Sequence, residues 1–190
     1  CAIYDIDTRL LTHKIREKGC MFAILSTLDH DTQSLTTKLQ KSPKLNQTNA
    51  VHIYQQESKS IRRHINSNKS KNRFKVAVFD FGIKQGILNS LTELNCEPVF
   101  FSQSSSIHDI KAIQPDGLFF SNGPGDPTIL AKETNIIPLM QELLPLFPSF
   151  GICLGHQLIG LSFGADIQKL RFGHHAINHP VKSIQPNSSH

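Results

Sequence analysis

Tryptophan is absent from this chain of 190 residues, and methionine and tyrosine occur twice each. No apolar run reaches the roughly 18 residues that a membrane-crossing helix needs, and Cys1 to Arg9 lack the charged-then-apolar order of a secretory signal. The chain therefore reads as a cytoplasmic protein with no membrane partner. The four cysteines, Cys1, Cys20, Cys96 and Cys153, form neither a C-x-x-C pair nor a zinc-like spacing, so separate reduced thiols and no metal site are expected. There is no P-loop and no G-x-G-x-x-G, so no nucleotide cofactor is expected in this chain. The first residue is Cys1 rather than methionine, and a cut or processed end of a longer protein is expected there.

Charge is modest in total and uneven in placement. Twenty Lys and Arg against fifteen Asp and Glu give +5. Seven of those cations crowd the stretch from Lys59 to Lys75, where the neighbours are Ser and Asn rather than aromatics. A nucleic-acid footprint needs its charges on one folded face with stacking groups between them, so a solvated linker is the expectation and nucleic acid is not an expected partner.

Composition changes near Arg73. Before it, residues 1–28 read as a short ordered piece in which Asp7 or Thr8 caps a helix bearing Leu10, Leu11 and Ile15, and Gly19 ends it. Residues 29–73 are polar, weakly periodic and mostly connection, with room for short helical pieces. After it, short apolar runs alternate with helical ones. Strands are expected at Phe74–Phe79, Val99–Phe101, Leu118–Phe120 and Phe147–Ile152. Helices are expected around Ile83–Leu94, at Ile107–Ile113, over Ala131–Leu144 with a turn or kink at Pro138, and from Gln157 to Phe163. This alternation predicts an α/β fold, a mostly parallel sheet with helices on both faces, and ligand contacts at the carboxyl ends of the strands.

Two glycine-rich segments fall at such ends. Gly151-Ile152-Cys153-Leu154-Gly155 leaves a strand and opens a helix, the context of a nucleophile elbow with sulfur in place of oxygen. Flanking glycines permit a sharp turn, and the helix N-terminus supplies N–H groups, that of Leu154 first, to favour thiolate and to hold an oxyanion. By itself the pattern also fits a buried cysteine in a turn whose glycines serve packing. Ser121-Asn122-Gly123-Pro124-Gly125-Asp126-Pro127 is the second segment, stiffened by prolines and opened by glycines. It fits a rigid wall of N–H groups beside the nucleophile; it also fits an ordinary tight turn.

Together these segments resemble the class I (triad) glutamine amidotransferases. Asp5 to Thr12, Phe79 to Lys84, Phe172 to His175 and Asn178 to Val181 narrow the resemblance to the small, glutamine-hydrolysing chains of carbamoyl phosphate synthetase, over nearly the whole chain except 29–72. The resemblance implies a flavodoxin-like amidotransferase domain over 74–190, C-terminally incomplete. Residues 1–28 would then be the end of a separate amino-terminal domain, and 29–73 a linker. It implies that Cys153 attacks the amide of L-glutamine and releases ammonia, with Gly123, Gly125, Leu154 and Gln157 contacting the substrate. The partner implied is the large synthetase chain, which would hold the ATP and magnesium. An anthranilate- or guanylate-synthesis amidotransferase is the nearest rival, and the Asp5 to Thr12 segment opposes it. A non-catalytic docking module for the large chain is the alternative of another class.

The general base and its orienting acid are not legible. No His-x-Glu occurs in the chain, and Asp166 is the one acidic residue after Cys153. The family's His-Pro-Glu and Asn-His-Gly-Phe stretches are expected beyond His190. His156 lies in the elbow helix, and His174, His175 and His179 are expected to hold the Phe172 to Val181 loop by hydrogen bonds rather than to bind zinc. Ala176-Ile177 departs from a family pattern that is often glycine-rich.

Overall fold

The computed structural model of the chain describes residues 3–19, 21–42, 48–57 and 73–170. Its internal contacts divide it into two compact units, Cys1–Ser42 with Gln168–His190, and Pro43–Ile167.

In the first unit, α1 (Thr8–Lys18) begins where its cap allows. Asp7 accepts the Leu10 N–H at 2.8 Å, and Gly19, at φ 81°, closes the helix by donating to the Ile15 carbonyl at 2.8 Å. Leu10, Leu11 and Ile15 form the expected apolar side and are exposed. A second helix, α2 (Thr32–Lys41), is capped by Asp31 through the Gln33 and Ser34 N–H groups. Ahead of it, Asp29 pairs with the Lys38 ammonium and accepts from the Ser34 hydroxyl at 2.7 Å and from the Asp31 N–H at 3.0 Å. These groups, Lys38 foremost, hold the Asp29 carboxyl down at about 2.

The second unit carries the sheet. Its strands are β1 (Phe74–Phe79), β2 (Cys96–Phe101), β3 (Gly117–Phe120) and β4 (Ser149–Gly151), all parallel, in the order β2-β1-β3-β4. Side chains alternate across the strands, so β1 sends Ala77 and Phe79 to one face and Val78 to the other. Both faces are covered. On one, Ile83, Leu88 and Phe119 join Val78 under α4 (Gln85–Glu93). On the other, Phe79 stacks on Phe120 with ring centroids 4.6 Å apart, and this pair sits among residues of α3 (Ala50–Glu57), α5 (Ile107–Ala112), α6 (Pro127–Glu133), α7 (Ile136–Leu143) and α8 (Leu154–Ser162).

One expectation changes, and others gain detail. The Ala131–Leu144 helix is two helices broken at Thr134 and Asn135, and Pro138 sits in the first turn of α7, where a missing N–H leaves no helical bond unmade. The polar stretch 29–73 contains α2 and α3. Val51 of α3 is 2 % exposed and belongs to the core of the second unit. The elbow opens a helix as expected, α8 starting at Leu154 with Cys153 in the cap position.

Two outcomes follow from this packing. Phe120→Ala, at a fully buried ring, is expected to lower unfolding free energy by about 3–5 kcal/mol in denaturant titration. Because the folded carboxyl of Asp29 titrates below the ordinary 3.8, its contribution to stability is complete above pH 4 and is lost as pH falls toward 2. NMR titration of that carboxyl is expected to show the low midpoint in the intact chain and a partial return toward the ordinary value in Lys38→Met, because the Ser34 hydroxyl and the Asp31 N–H still lower it.

Candidate functional site

The elbow is built from backbone before any side chain enters. Cys153 has φ 51° and ψ −108°, a left-handed conformation that costs a non-glycine residue about 1–3 kcal/mol and persists only where the surroundings impose it. Here they do. The Ile152 N–H donates to the Phe120 carbonyl at 3.0 Å, which fixes the chain on the β3 side. The Gly155 N–H is shared between the carbonyls of Ile152 at 3.0 Å and Ser121 at 3.1 Å, and the Gln157 N–H takes the Cys153 carbonyl at 3.0 Å to begin α8.

Both flanking glycines are required by contact. A Cβ on Gly155 would lie 2.1 Å from the Phe120 carbonyl oxygen, and one on Gly151 would lie 2.7 Å from the Gly155 carbonyl carbon and from the His156 nitrogen. Strand, turn and helix therefore approach each other at backbone distance. The result is an exposed Cys153 thiol at the amino end of a helix.

Leu154 is 2 % exposed, with its side chain in the core, so only its backbone remains for a ligand. Among the described residues no backbone carbonyl takes its N–H, in contrast to that of Gly155. One oriented donor and the positive end of the helix dipole thus stand next to the thiol, where negative charge is stabilised. Gln157 lies one turn further, exposed.

The facing segment leaves β3 directly beside the elbow, since it is the Ser121 carbonyl that receives the Gly155 N–H. Ser121 is fully buried, and its hydroxyl accepts the Phe81 N–H at 2.9 Å while donating to the Asn122 carbonyl at 2.7 Å. Asn122 continues the tie, donating from Nδ2 to the Gly82 carbonyl at 3.0 Å and accepting the Lys84 N–H at 3.3 Å. Gly123 lies so close to this loop that a Cβ would meet the Phe81 carbonyl oxygen at 2.5 Å. Gly125, at φ 97°, faces Ala50 of α3. Asp126 then caps α6 through the Thr128 N–H at 2.9 Å, with Pro127 in the first turn.

Sequence reasoning singled out Gly123 and Gly125 for backbone approach to a ligand, and the chain's own packing already accounts for their missing side chains. It assigned no role to the Ser121 side chain. A serine closing a buried apolar strand is the one signal that could have drawn notice, because a buried hydroxyl needs partners.

Around the thiol the described residues supply no base. No described residue forms a hydrogen bond to Cys153 Sγ, His156 is exposed on α8, and Asp166 is exposed beyond that helix. His174, His175, His179, His190 and the Ala176-Ile177 loop lie outside the described residues. Among the described residues no group of three His, Cys, Asp or Glu could hold a metal, and no helix is long and apolar enough to cross a membrane. The other described cysteine, Cys96, is half-buried at the start of β2, and burial pushes its thiol up.

Residues 77–189 match the family described as Glutamine amidotransferase class-I. The chain is 40% identical over 185 residues to a carbamoyl phosphate synthase small chain of Thermotoga maritima, covering 97% of this chain and 45% of the relative. Proteins of the same description from Chlorobaculum tepidum and Aquifex aeolicus are each 38% identical over 96% of this chain, covering 49% and 50% of those relatives. The chain spans about half the length of the curated relatives it matches.

The Ser121 hydrogen bonds and the glycine contacts make separable predictions. Ser121→Ala leaves the buried Phe81 N–H without its acceptor and is expected to cost about 1–3 kcal/mol in thermal or chemical unfolding. Gly155→Ala puts a methyl group into the Phe120 carbonyl and is expected to cost about 3 kcal/mol or more, from overpacking with no flexible neighbour to yield. A Gly155→Ala protein that melts within a degree of the parent would contradict the backbone-contact account of the elbow.

Proposed function

The chain belongs to the class-I glutamine amidotransferase family, and on that premise we propose that it is the nucleophile-bearing part of the glutaminase subunit of a carbamoyl phosphate synthetase. The observation that carries the proposal is Cys153 itself. It is exposed, held at positive φ, and set at the amino end of α8 beside an N–H that no described carbonyl uses.

In the proposed reaction the Cys153 thiolate attacks the side-chain amide carbon of L-glutamine. Negative charge develops on the amide oxygen, where the Leu154 N–H and the α8 dipole stabilise it. Collapse of the tetrahedral species expels the amide nitrogen, which takes a proton and leaves as ammonia, and a glutamyl thioester remains on Sγ. Water then attacks the thioester carbon, releasing glutamate and restoring the thiol. Gly123, Gly125 and Gln157 are assigned to holding the glutamine, on the resemblance of their segments to the family pattern. Removing the thiol proton and protonating the departing nitrogen need a general acid–base group with an orienting carboxylate. We assign that pair to a segment or partner outside these 190 residues, because the sequence contains no His-x-Glu.

Ammonia would pass to the large synthetase chain, where ATP and magnesium belong in this reading. The relatives named as small chains support that partner. A mechanism that starts from a reduced thiol suits the cytoplasm.

The proposal predicts a split between modification and turnover. A glutamine-like electrophile, such as an α-diazoketone or α-chloroketone analogue of glutamine, is expected to label Cys153 stoichiometrically and to leave the half-buried Cys96 unmodified, as mapped by mass spectrometry. Excess L-glutamine should slow the labelling; D-glutamine should not. Steady-state ammonia release by the 190-residue chain is expected to be undetectable. Measurable, Cys153-dependent turnover would overturn the assignment of the base to another segment, and labelling that glutamine does not slow would overturn the substrate.

A further inference from the structure

The loops after β1 and β3 meet at the carboxyl end of the sheet, next to the elbow, and one side chain joins them. Asn122, half-buried, donates from Nδ2 to the Gly82 carbonyl at 3.0 Å and accepts the Lys84 N–H on Oδ1 at 3.3 Å. Both partners are backbone of a single turn, which the Asp80 carboxylate shapes from within by accepting the Gly82 and Ile83 N–H groups at 3.0 and 3.1 Å. Asn122 belongs to neither buried apolar cluster, so these two bonds rather than packing fix its side chain.

The backbone that follows is held from the same side. The Asn122 carbonyl accepts the Ser121 hydroxyl at 2.7 Å. That carbonyl and the Gly123 N–H share one trans peptide plane and point in opposite directions, so whatever fixes the carbonyl fixes the N–H. Among the described residues no acceptor takes the Gly123 N–H. A Cβ on Gly123 would meet the Phe81 carbonyl oxygen at 2.5 Å, and one on Gly82 would meet the Pro124 ring at 3.1 Å, so the two loops run at backbone distance. Without the Asn122 amide, the Ser121 hydroxyl, itself bonded to the Phe81 N–H, would be the one hydrogen-bonded tie among the described residues between this peptide and the loop after β1. An N–H held in place before a ligand arrives need not be ordered when it binds, which is how a residue without substrate contact raises affinity.

We propose that Asn122 is a positioning residue of the glutamine site: its side-chain amide holds the Asn122–Gly123 peptide in one orientation against the loop after β1, so that the unused Gly123 N–H is presented to the substrate. This inference rests on the glutaminase reading, in which Gly123 helps to hold glutamine.

Alkylation of Cys153 by iodoacetamide in the 190-residue chain, followed by mass spectrometry of its peptide with and without L-glutamine, tests it. The rate without glutamine reports the thiol, and the glutamine concentration that halves this rate reports the substrate site. For Asn122→Ala the glutamine-free rate is expected to stay within about twofold of the parent, because the bonds of the elbow are unchanged. The half-protecting concentration is expected to rise about tenfold, the effect of one net hydrogen bond. Asn122→Asp keeps the size and the acceptor for the Lys84 N–H but turns an oxygen toward the Gly82 carbonyl. It is expected to raise the half-protecting concentration at least as much, and it carries the test if the alanine variant does not fold. No protection of the parent by L-glutamine would overturn the glutaminase reading and this inference together. Protection in the parent that is unchanged in both variants would overturn this inference alone, as would an equal fall in the glutamine-free rate, which marks a disturbed elbow. Loss of the fold in both variants would overturn it too, since the side chain would then hold the domain rather than the site.

Discussion

Everything distinctive about the second unit depends on three pieces of backbone meeting without side chains between them. The Phe120 carbonyl at the end of β3 receives the Ile152 N–H and also occupies the space where Gly155 would carry a Cβ. Gly151 in turn lies against the first turn of α8. With strand and helix so close, the residue that joins them has no room for an ordinary conformation, and Cys153 is driven to positive φ with its thiol outward. The strain and the exposure of the thiol are thus two results of one steric condition, and the hydrophobic core under α8 supplies the free energy that maintains it.

Hydrogen bonds extend that condition to the neighbouring loops. Ser121 bonds to Gly155 through its carbonyl and to Phe81 through its hydroxyl, so the loops after β1, β3 and β4 are held in register by one buried residue. This also sorts the donors at the start of α8. The Gly155 N–H is consumed by structure, while no described backbone carbonyl takes that of Leu154. A helix amino terminus offers several N–H groups in principle, and the loop beside it decides which of them a substrate can use.

The two ends of the sheet are chemically distinct. β4 leads to the thiol at one edge and β2 leads to the serine-rich turn Ser102 to Ser106 at the other, about 14 Å away if counted as three strand spacings. The parallel arrangement is what allows this, because it sends every strand's carboxyl end to the same side and leaves each following loop free to differ.

Strands, most helices and the elbow at Cys153 were legible in the sequence because each rests on local patterns: apolar runs of strand length, Asp7 and Gly19 as caps, and the close spacing of Gly151, Cys153 and Gly155. Folding decided what depends on residues distant along the chain. Val51 lies in a polar stretch, and only its contact with the sheet makes α3 part of the core. The break at Thr134 and Asn135 precedes the proline that seemed to demand it, since a proline in a first turn disturbs nothing. That the Phe81 carbonyl leaves no room for a side chain on Gly123 is likewise set by a segment some forty residues away. The sequence by itself determined which cysteine is set in a strand-to-helix elbow, through short-range spacing. Which N–H groups, carbonyls and cavities surround it was decided by tertiary structure, because those are set by contacts between segments tens of residues apart.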